Sequence, residues 1–206
     1  MSEEQAASVA PERIPWSILV AVVLAWFGLW YLTPGLLSDG AGRLVTDDAA
    51  LSTLFETVLA LMLAIGLVLA HRGYSRELFA RSRTCWFYAL PIATAIALPF
   101  HYGLELPVAL YLFWMTVSVF WQDYLTFGLL QKYLAERLTT SMVLIASAVI
   151  FWAGHAIFLP DAFAPTQGLP SLAILALGLV LASLRIWLTT LHVILALHLT
   201  FYFVFA

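Results

Sequence analysis

Seven apolar runs follow one another along this chain, and they leave few ways for it to fold. A helix needs about 20 residues to cross the hydrocarbon core of a membrane. Of the 206 residues, 63% are hydrophobic and 10% are charged, whereas a soluble domain has about 25% charged residues. The pattern therefore predicts an all-α, polytopic membrane helix bundle. The runs cover residues 16–37, 50–70, 85–100, 106–130, 141–159, 170–184 and 186–206.

The basic residues of the loops predict how this bundle is oriented. Cytoplasmic loops of membrane proteins carry an excess of Lys and Arg. Of the nine Lys and Arg residues, only Arg43 falls in a connection on the opposite side. The asymmetry predicts about seven transmembrane helices with the N-terminus inside. The segments predicted to be cytoplasmic are 1–15, 71–84, 131–140 and the junction at Arg185.

The length of the chain predicts a single integral membrane domain. It consists of a tail at 1–15, three N-terminal helices within 16–105 and a core at 106–206. The tail is acidic, unlike the basic start of a signal peptide, so the first run is predicted to stay as a helix. The few charges provide no field for nucleic acid. The single cysteine, Cys85, excludes an intramolecular disulfide and a cysteine-rich metal site.

Three polar residues inside the apolar runs are the strongest indication of function. Asp123, preceded by Gln122, lies late in the fourth run, and His155 and His198 lie in the fifth and seventh. A charged side chain at the centre of a membrane helix costs about 2.5–3.5 kcal/mol, so it usually has a partner or a function. Counting from the loops places both histidines about 20 Å deep and Asp123 roughly 13 Å deep. A cluster from three helices is predicted, with a mismatch of several ångströms to be absorbed.

Other ionisable residues in or beside the runs have simpler interpretations. His101 and Glu105 flank a short connection and are predicted to be solvated at the interface. Glu56 is compatible with structural pairing and with function. His192 and His198 are six residues apart and do not share a helix face.

The polar residues of the core fall into three motifs that resemble those of the CPBP intramembrane endopeptidases. This family includes CAAX prenyl proteases and bacteriocin-processing or self-immunity proteins. Its motifs are Glu-Glu-x-x-x-Arg, Phe-x-x-x-His and His-x-x-x-Asn, on successive helices, and the similarity covers roughly residues 110–206. In this chain the motif positions hold Gln122, Asp123 and Phe127, then Phe151 and His155, then His198 and Tyr202.

The resemblance implies an intramembrane protease in the cytoplasmic membrane of a prokaryote, with no cofactor and no metal. Its substrate would be a membrane-associated or lipid-anchored protein segment, and the lipid bilayer would be its surroundings. Gln122, Asp123, His155 and His198 would form the catalytic group that activates water, and Tyr202 would support the oxyanion.

The first motif departs from the family, because glutamine cannot take a proton. Three explanations are open: Asp123 has become the base, the protein is a catalytically silent immunity or scaffold protein, or Gln122 is an engineered replacement of an acid. Outside the family, His155 and His198 suit the axial ligands of a haem anchor, and together with Asp123 they suit zinc. A proton-coupled transporter using Glu56 and Asp123 is a further alternative.

Overall fold

A computed structural model of the protein describes residues 13–34, 41–100, 104 and 106–204. Throughout this described part the regular structure is helical, with no strand. The all-α prediction is therefore confirmed. His101, Glu105 and most of the N-terminal tail lie outside the described residues, so their predictions stay open.

Every one of the seven apolar runs contains a helix. The helices are α1 (Trp16–Trp30), α2 (Ala49–Ala70), α3 (Arg72–Leu78), α4 (Ala89–Ala97), α5 (Val108–Asp123), α6 (Gln131–Ala135), α7 (Thr140–Phe158), α8 (Pro160–Phe163), α9 (Leu169–Trp187) and α10 (His192–Val204). Short 3₁₀ turns cover Ala41–Leu44, Arg83–Tyr88, Leu98–Phe100 and Pro165–Gln167, and a π-helical segment covers Tyr124–Leu130.

Three of these helices, α2, α7 and α9, are long and apolar enough to cross a membrane. The helices α1 and α10 are apolar but shorter, at 15 and 13 residues. Large apolar side chains point outwards on several helices, among them Leu24, Met62, Ile96 and Leu172. An apolar exterior of this kind is typical of a surface that faces lipid. These features indicate a membrane protein.

Polar contacts bring several of the basic segments to one end of the bundle. Arg137 donates a hydrogen bond to the carbonyl oxygen of Ile14 (2.8 Å). Its guanidinium also lies 4.3 Å from the ring centre of Trp16. His71, after α2, is 3.2 Å from the hydroxyl of Tyr133 on α6. The start of α1, the end of α2 and the region after α5 therefore meet at this end.

The helix of the fourth run changes its winding directly after Asp123. Its π-helical segment, Tyr124–Leu130, joins α5 to α6 without a break. The wider π turn disturbs the regular backbone hydrogen bonds and is often found at functional sites. Two of its carbonyl groups accept bonds from side chains outside the segment. Arg185 Nε donates to the oxygen of Phe127 (3.1 Å), and the Tyr74 hydroxyl donates to that of Gly128 (2.9 Å).

Small residues allow the helices around the polar cluster to pack closely. A Cβ atom at Gly178 of α9 would lie 3.1 Å from the Phe151 ring on α7. A Cβ atom at Gly154 would lie 2.8 Å from Trp26 Cη2 and 2.8 Å from Trp30 Nε1. Close approach at small residues provides much of the association between membrane helices. Gly154 therefore sets the distance between α1 and α7.

We expect Gly154→Ala to lower the stability of the protein by about 1–3 kcal/mol, because the added methyl group overpacks against two tryptophan rings. Gly28→Ala is the matched control, since a Cβ at Gly28 of α1 has no neighbour within 4 Å. Thermal unfolding in detergent measures both. Equal stability of the two variants would contradict the close packing of α1 on α7.

Candidate functional site

The centre of the candidate site is a contact between Asp123 and His198. Asp123 Oδ1 lies 2.8 Å from His198 Nδ1, and the two side chains are 0% and 2% exposed. A carboxylate only accepts hydrogen bonds, so with Asp123 ionised the His198 Nδ1 carries the proton. The histidine is thus the partner that a buried carboxylate requires, and it links α5 to α10.

The predicted difference in depth does not keep Asp123 and His198 apart. The prediction counted from Arg185 as a loop residue, but α9 continues to Trp187 and α10 begins only at His192. His198 is therefore six residues into its helix, or about 9 Å at the rise of an α-helix. The two side chains meet directly at 2.8 Å, without a bridging water.

His155 lies among aromatic rings instead of bonding to Asp123. Its Nδ1 is 2.9 Å from the carbonyl oxygen of Phe151 one turn earlier. Because a carbonyl group only accepts, this Nδ1 carries the proton and Nε2 keeps the lone pair in the neutral ring. The rings of Phe151, Trp30 and Phe163 surround the imidazole, with centroids 4.5, 5.4 and 5.5 Å away. Phe151 also contacts His198 (6.3 Å), so it lies beside both histidines.

Gln122 and Tyr202 complete the set of predicted residues. Gln122 Nε2 donates to Ser118 Oγ one turn earlier on α5 (3.1 Å). The side chain of Tyr202 interacts with that of Gln122 and stacks on His198, with ring centres 5.2 Å apart and planes at 29°. Tyr202, Gln122, Asp123 and His198 are thus brought together by α5 and α10, and His155 approaches from α7.

Three buried polar atoms at or beside this cluster have no hydrogen-bond partner among the described residues. They are Asp123 Oδ2, Gln122 Oε1 and Trp30 Nε1. Nearly all buried polar atoms in folded proteins are paired, so each such atom needs an explanation. Two unsatisfied acceptors and one unsatisfied donor therefore lie at or beside the two histidines. Trp30 was missed by the sequence reasoning, since an indole in an apolar run carries no signal of a polar role.

The other polar candidates lie outside this cluster. Glu56 Oε1 accepts a hydrogen bond from the backbone N–H of Gly42 (2.9 Å), which is the structural pairing that was one of its two interpretations. His192 Nε2 lies 3.0 Å from the carbonyl oxygen of Ala80, where α10 begins. Both residues bind connecting segments to the bundle.

The geometry does not suit the metal and haem alternatives. Within the described ranges, no three His, Cys, Asp or Glu side chains are grouped so that they could hold a metal ion. Zinc would need Asp123, His155 and His198 to converge on one point. For haem, the two histidines would face each other across a flat ring, but the Phe151 side chain contacts both of them.

Comparisons of this chain with protein-family models, with curated proteins and with solved structures found no match. The resemblance to the CPBP family therefore depends on the three motifs alone. The fold and the site by themselves define only a broader class, an all-helical membrane-type protein with a buried carboxylate–histidine pair.

We expect His198→Leu to cost about 3–5 kcal/mol of stability, because it leaves Asp123 buried without its partner. The double variant Asp123→Leu/His198→Leu should lose much less stability than the sum of the losses of Asp123→Leu and His198→Leu alone, since no buried charge then remains. Asp123→Asn should be mild, because the amide oxygen still accepts from His198 Nδ1. Chemical unfolding in mild detergent measures all four, and strictly additive losses would contradict a direct pair.

Proposed function

We propose that this protein is an intramembrane endopeptidase that hydrolyses a peptide bond in a membrane-associated or lipid-anchored protein segment. The observation that carries the proposal is the buried Asp123–His198 pair, whose second carboxylate oxygen has no hydrogen-bond partner among the described residues. The order of the three CPBP-like motifs supports the same reading. In the bundle these motifs lie next to one another, around Phe151.

The proposal includes a topology of seven membrane helices in the cytoplasmic membrane of a prokaryote, with the N-terminus inside. Its support is the excess of Lys and Arg in alternate connections and the contacts that gather several of those segments at one end. The shorter helices α1 and α10 would cross with the help of their flanking residues or by local thinning of the bilayer.

In the proposed reaction, Asp123 is the general base. Its free oxygen takes a proton from water while the resulting hydroxide attacks the carbonyl carbon of the scissile bond. His155 Nε2 accepts a second hydrogen bond from that water and so orients it. The protonated Asp123 then gives its proton to the leaving nitrogen, which returns the carboxylate to its first state. His198 holds Asp123 in place through the 2.8 Å contact.

The oxyanion of this reaction needs hydrogen-bond donors, which contribute a large part of the stabilisation of such transition states. The Tyr202 hydroxyl is the donor that the motif implies, and Gln122 lies next to it. Tyrosine thus takes the place of the family's asparagine and keeps a donor there.

A second candidate function is a silent relative that acts as an immunity or scaffold protein. The observation that favours it is Gln122 itself. This amide stands where the family has a glutamate, and it is bonded to Ser118 in the way expected of a structural side chain. The two candidates differ in whether Asp123 is enough for catalysis.

We expect the chain as given to cleave a co-expressed membrane-anchored substrate, and Asp123→Asn to lower the rate by about 10²–10⁴-fold, the usual contribution of a general acid–base group. His155→Ala should also lower the rate, because the attacking water then loses one of its two acceptors. Gln122→Glu tests whether the amide silences the site. Cleavage is measured as the ratio of product to intact substrate in membranes, at matched expression.

Glu56→Gln is the matched control, because it removes a buried carboxylate that pairs with Gly42 outside the site. This variant should keep the activity of the parent chain. Activity only in Gln122→Glu would support the silent relative, and full activity in Asp123→Asn would overturn the role of Asp123 as base.

A further inference from the structure

A cavity of about 500 Å³ opens at the end of the bundle where the basic segments meet. It lies between α6, the start of α7 and the end of α9, apart from the Asp123–His198 pair. Apolar side chains line one part of it, among them Leu138, Val143 and Ile186. Its polar part is formed by Tyr74, Gln131, Lys132, Glu136 and Arg185.

Arg185 is held in a fixed position at this cavity. Its Nε donates to the carbonyl oxygen of Phe127 (3.1 Å), Nη1 to that of Leu188 (2.7 Å) and Nη2 to the hydroxyl of Tyr74 (3.0 Å). A guanidinium has five N–H donors, so two remain after these bonds. No carboxylate forms an ion pair with Arg185 in the part of the chain that the structure describes. Within the described residues, no ion pair therefore neutralises the charge of Arg185.

Two further side chains give the cavity a second cation and a buried acceptor. Lys132 Nζ lies 4.5 Å from the ring centre of Tyr74, which holds the ammonium group over this ring. Gln131 is 4% exposed. Its Nε2 donates to the carbonyl oxygen of Ala182 (3.1 Å), and its Oε1 has no partner among the described residues.

We propose that this cavity binds a phosphate ester that carries a free hydroxyl group, as in the headgroup of a glycerol-based phospholipid. The two free N–H groups of Arg185 and the ammonium of Lys132 bind the phosphate oxygens, as fixed donors and a mobile charge do in other phosphate sites. Gln131 Oε1 accepts a hydrogen bond from the free hydroxyl group. Glu136 at the rim limits the net charge, which favours a phosphate with one negative charge over one with two.

The position of the cavity supports this ligand and goes beyond the proposed peptidase activity. Basic pockets between membrane helices bind the headgroups of anionic lipids. The apolar side of the cavity offers a surface for the first carbons of an acyl chain. Phe127 lines the cavity, and its ring lies 5.4 Å from that of Phe151 at the catalytic cluster. A bound headgroup would thus stabilise the π-helical segment through Arg185.

The test uses the full chain in neutral detergent with three soluble probes: dihexanoyl phosphatidylglycerol, dihexanoyl phosphatidylcholine and glycerol 1-phosphate. Native mass spectrometry and thermal shift measure binding. We expect phosphatidylglycerol to bind most tightly, and Lys132→Gln to weaken it about fivefold, the effect of one basic residue near a membrane surface. Ala135→Glu changes an exposed position at the rim of the cavity. This variant should weaken the binding of phosphatidylglycerol more than Lys132→Gln does, without disturbing the core.

Arg76→Gln is the control, because it removes one positive charge from the exposed face of α3 without touching the cavity. This variant should bind phosphatidylglycerol like the parent chain. Equal binding of glycerol 1-phosphate would assign the site to a soluble phosphate ester and would overturn the preference for a single negative charge. Equal weakening by Lys132→Gln and Arg76→Gln, or no binding of any probe, would overturn the proposal.

Discussion

The pairing of Asp123 with His198 is the constraint on which the rest of this bundle depends. A lone carboxylate is costly to keep among apolar helices, and these two side chains are almost fully buried. The pair therefore fixes the register of α10 against α5. In the turn before α10, the backbone N–H of Leu191 donates a hydrogen bond to the carbonyl oxygen of Leu78 (3.0 Å). The polar pair and this backbone hydrogen bond together hold α10 against the bundle.

The π-helical segment after Asp123 is the second device that shapes the site. Its carbonyl groups at Phe127 and Gly128 are bonded by Arg185 and Tyr74, so side chains from α9 and α3 stabilise the unusual winding. In the CPBP motif an arginine stands at the position of Phe127. Here a guanidinium reaches the backbone of that residue from α9 instead. Arg185 therefore brings a positive charge to this region, at the cavity.

The sequence allowed the helices and a polar cluster between them to be predicted, but not which residues of the cluster are in contact. Apolar runs and the cost of a buried carboxylate are strong local signals, so the helix in each run and a polar cluster of Asp123 with a histidine could be inferred. The sequence left open whether His155 or His198 pairs with Asp123, and the structure shows that it is His198. The winding after Asp123 changes no apolar pattern, and so it left no signal. Arg185 was assigned to a loop because of its charge, whereas hydrogen bonds to backbone groups allow it to stay in α9. The helix α10 begins only at His192, so His198 lies closer to the start of its helix than the count from Arg185 predicted.

The hydrogen-bond directions at the site separate acceptors from donors. Both histidines carry their proton on Nδ1, because Asp123 and the carbonyl group of Phe151 occupy that side of each ring. Each ring therefore presents an Nε2 lone pair, and Asp123 Oδ2 adds a third acceptor. Such a set binds a molecule with O–H or N–H groups, as water and a peptide do. The donors are the hydroxyl group of Tyr202 and the indole N–H of Trp30. Tyr202 packs against His198, and Trp30 packs against His155. In the proposed reaction, these acceptors would hold the attacking water and these donors the carbonyl oxygen, which is the division of roles that hydrolysis by a carboxylate requires.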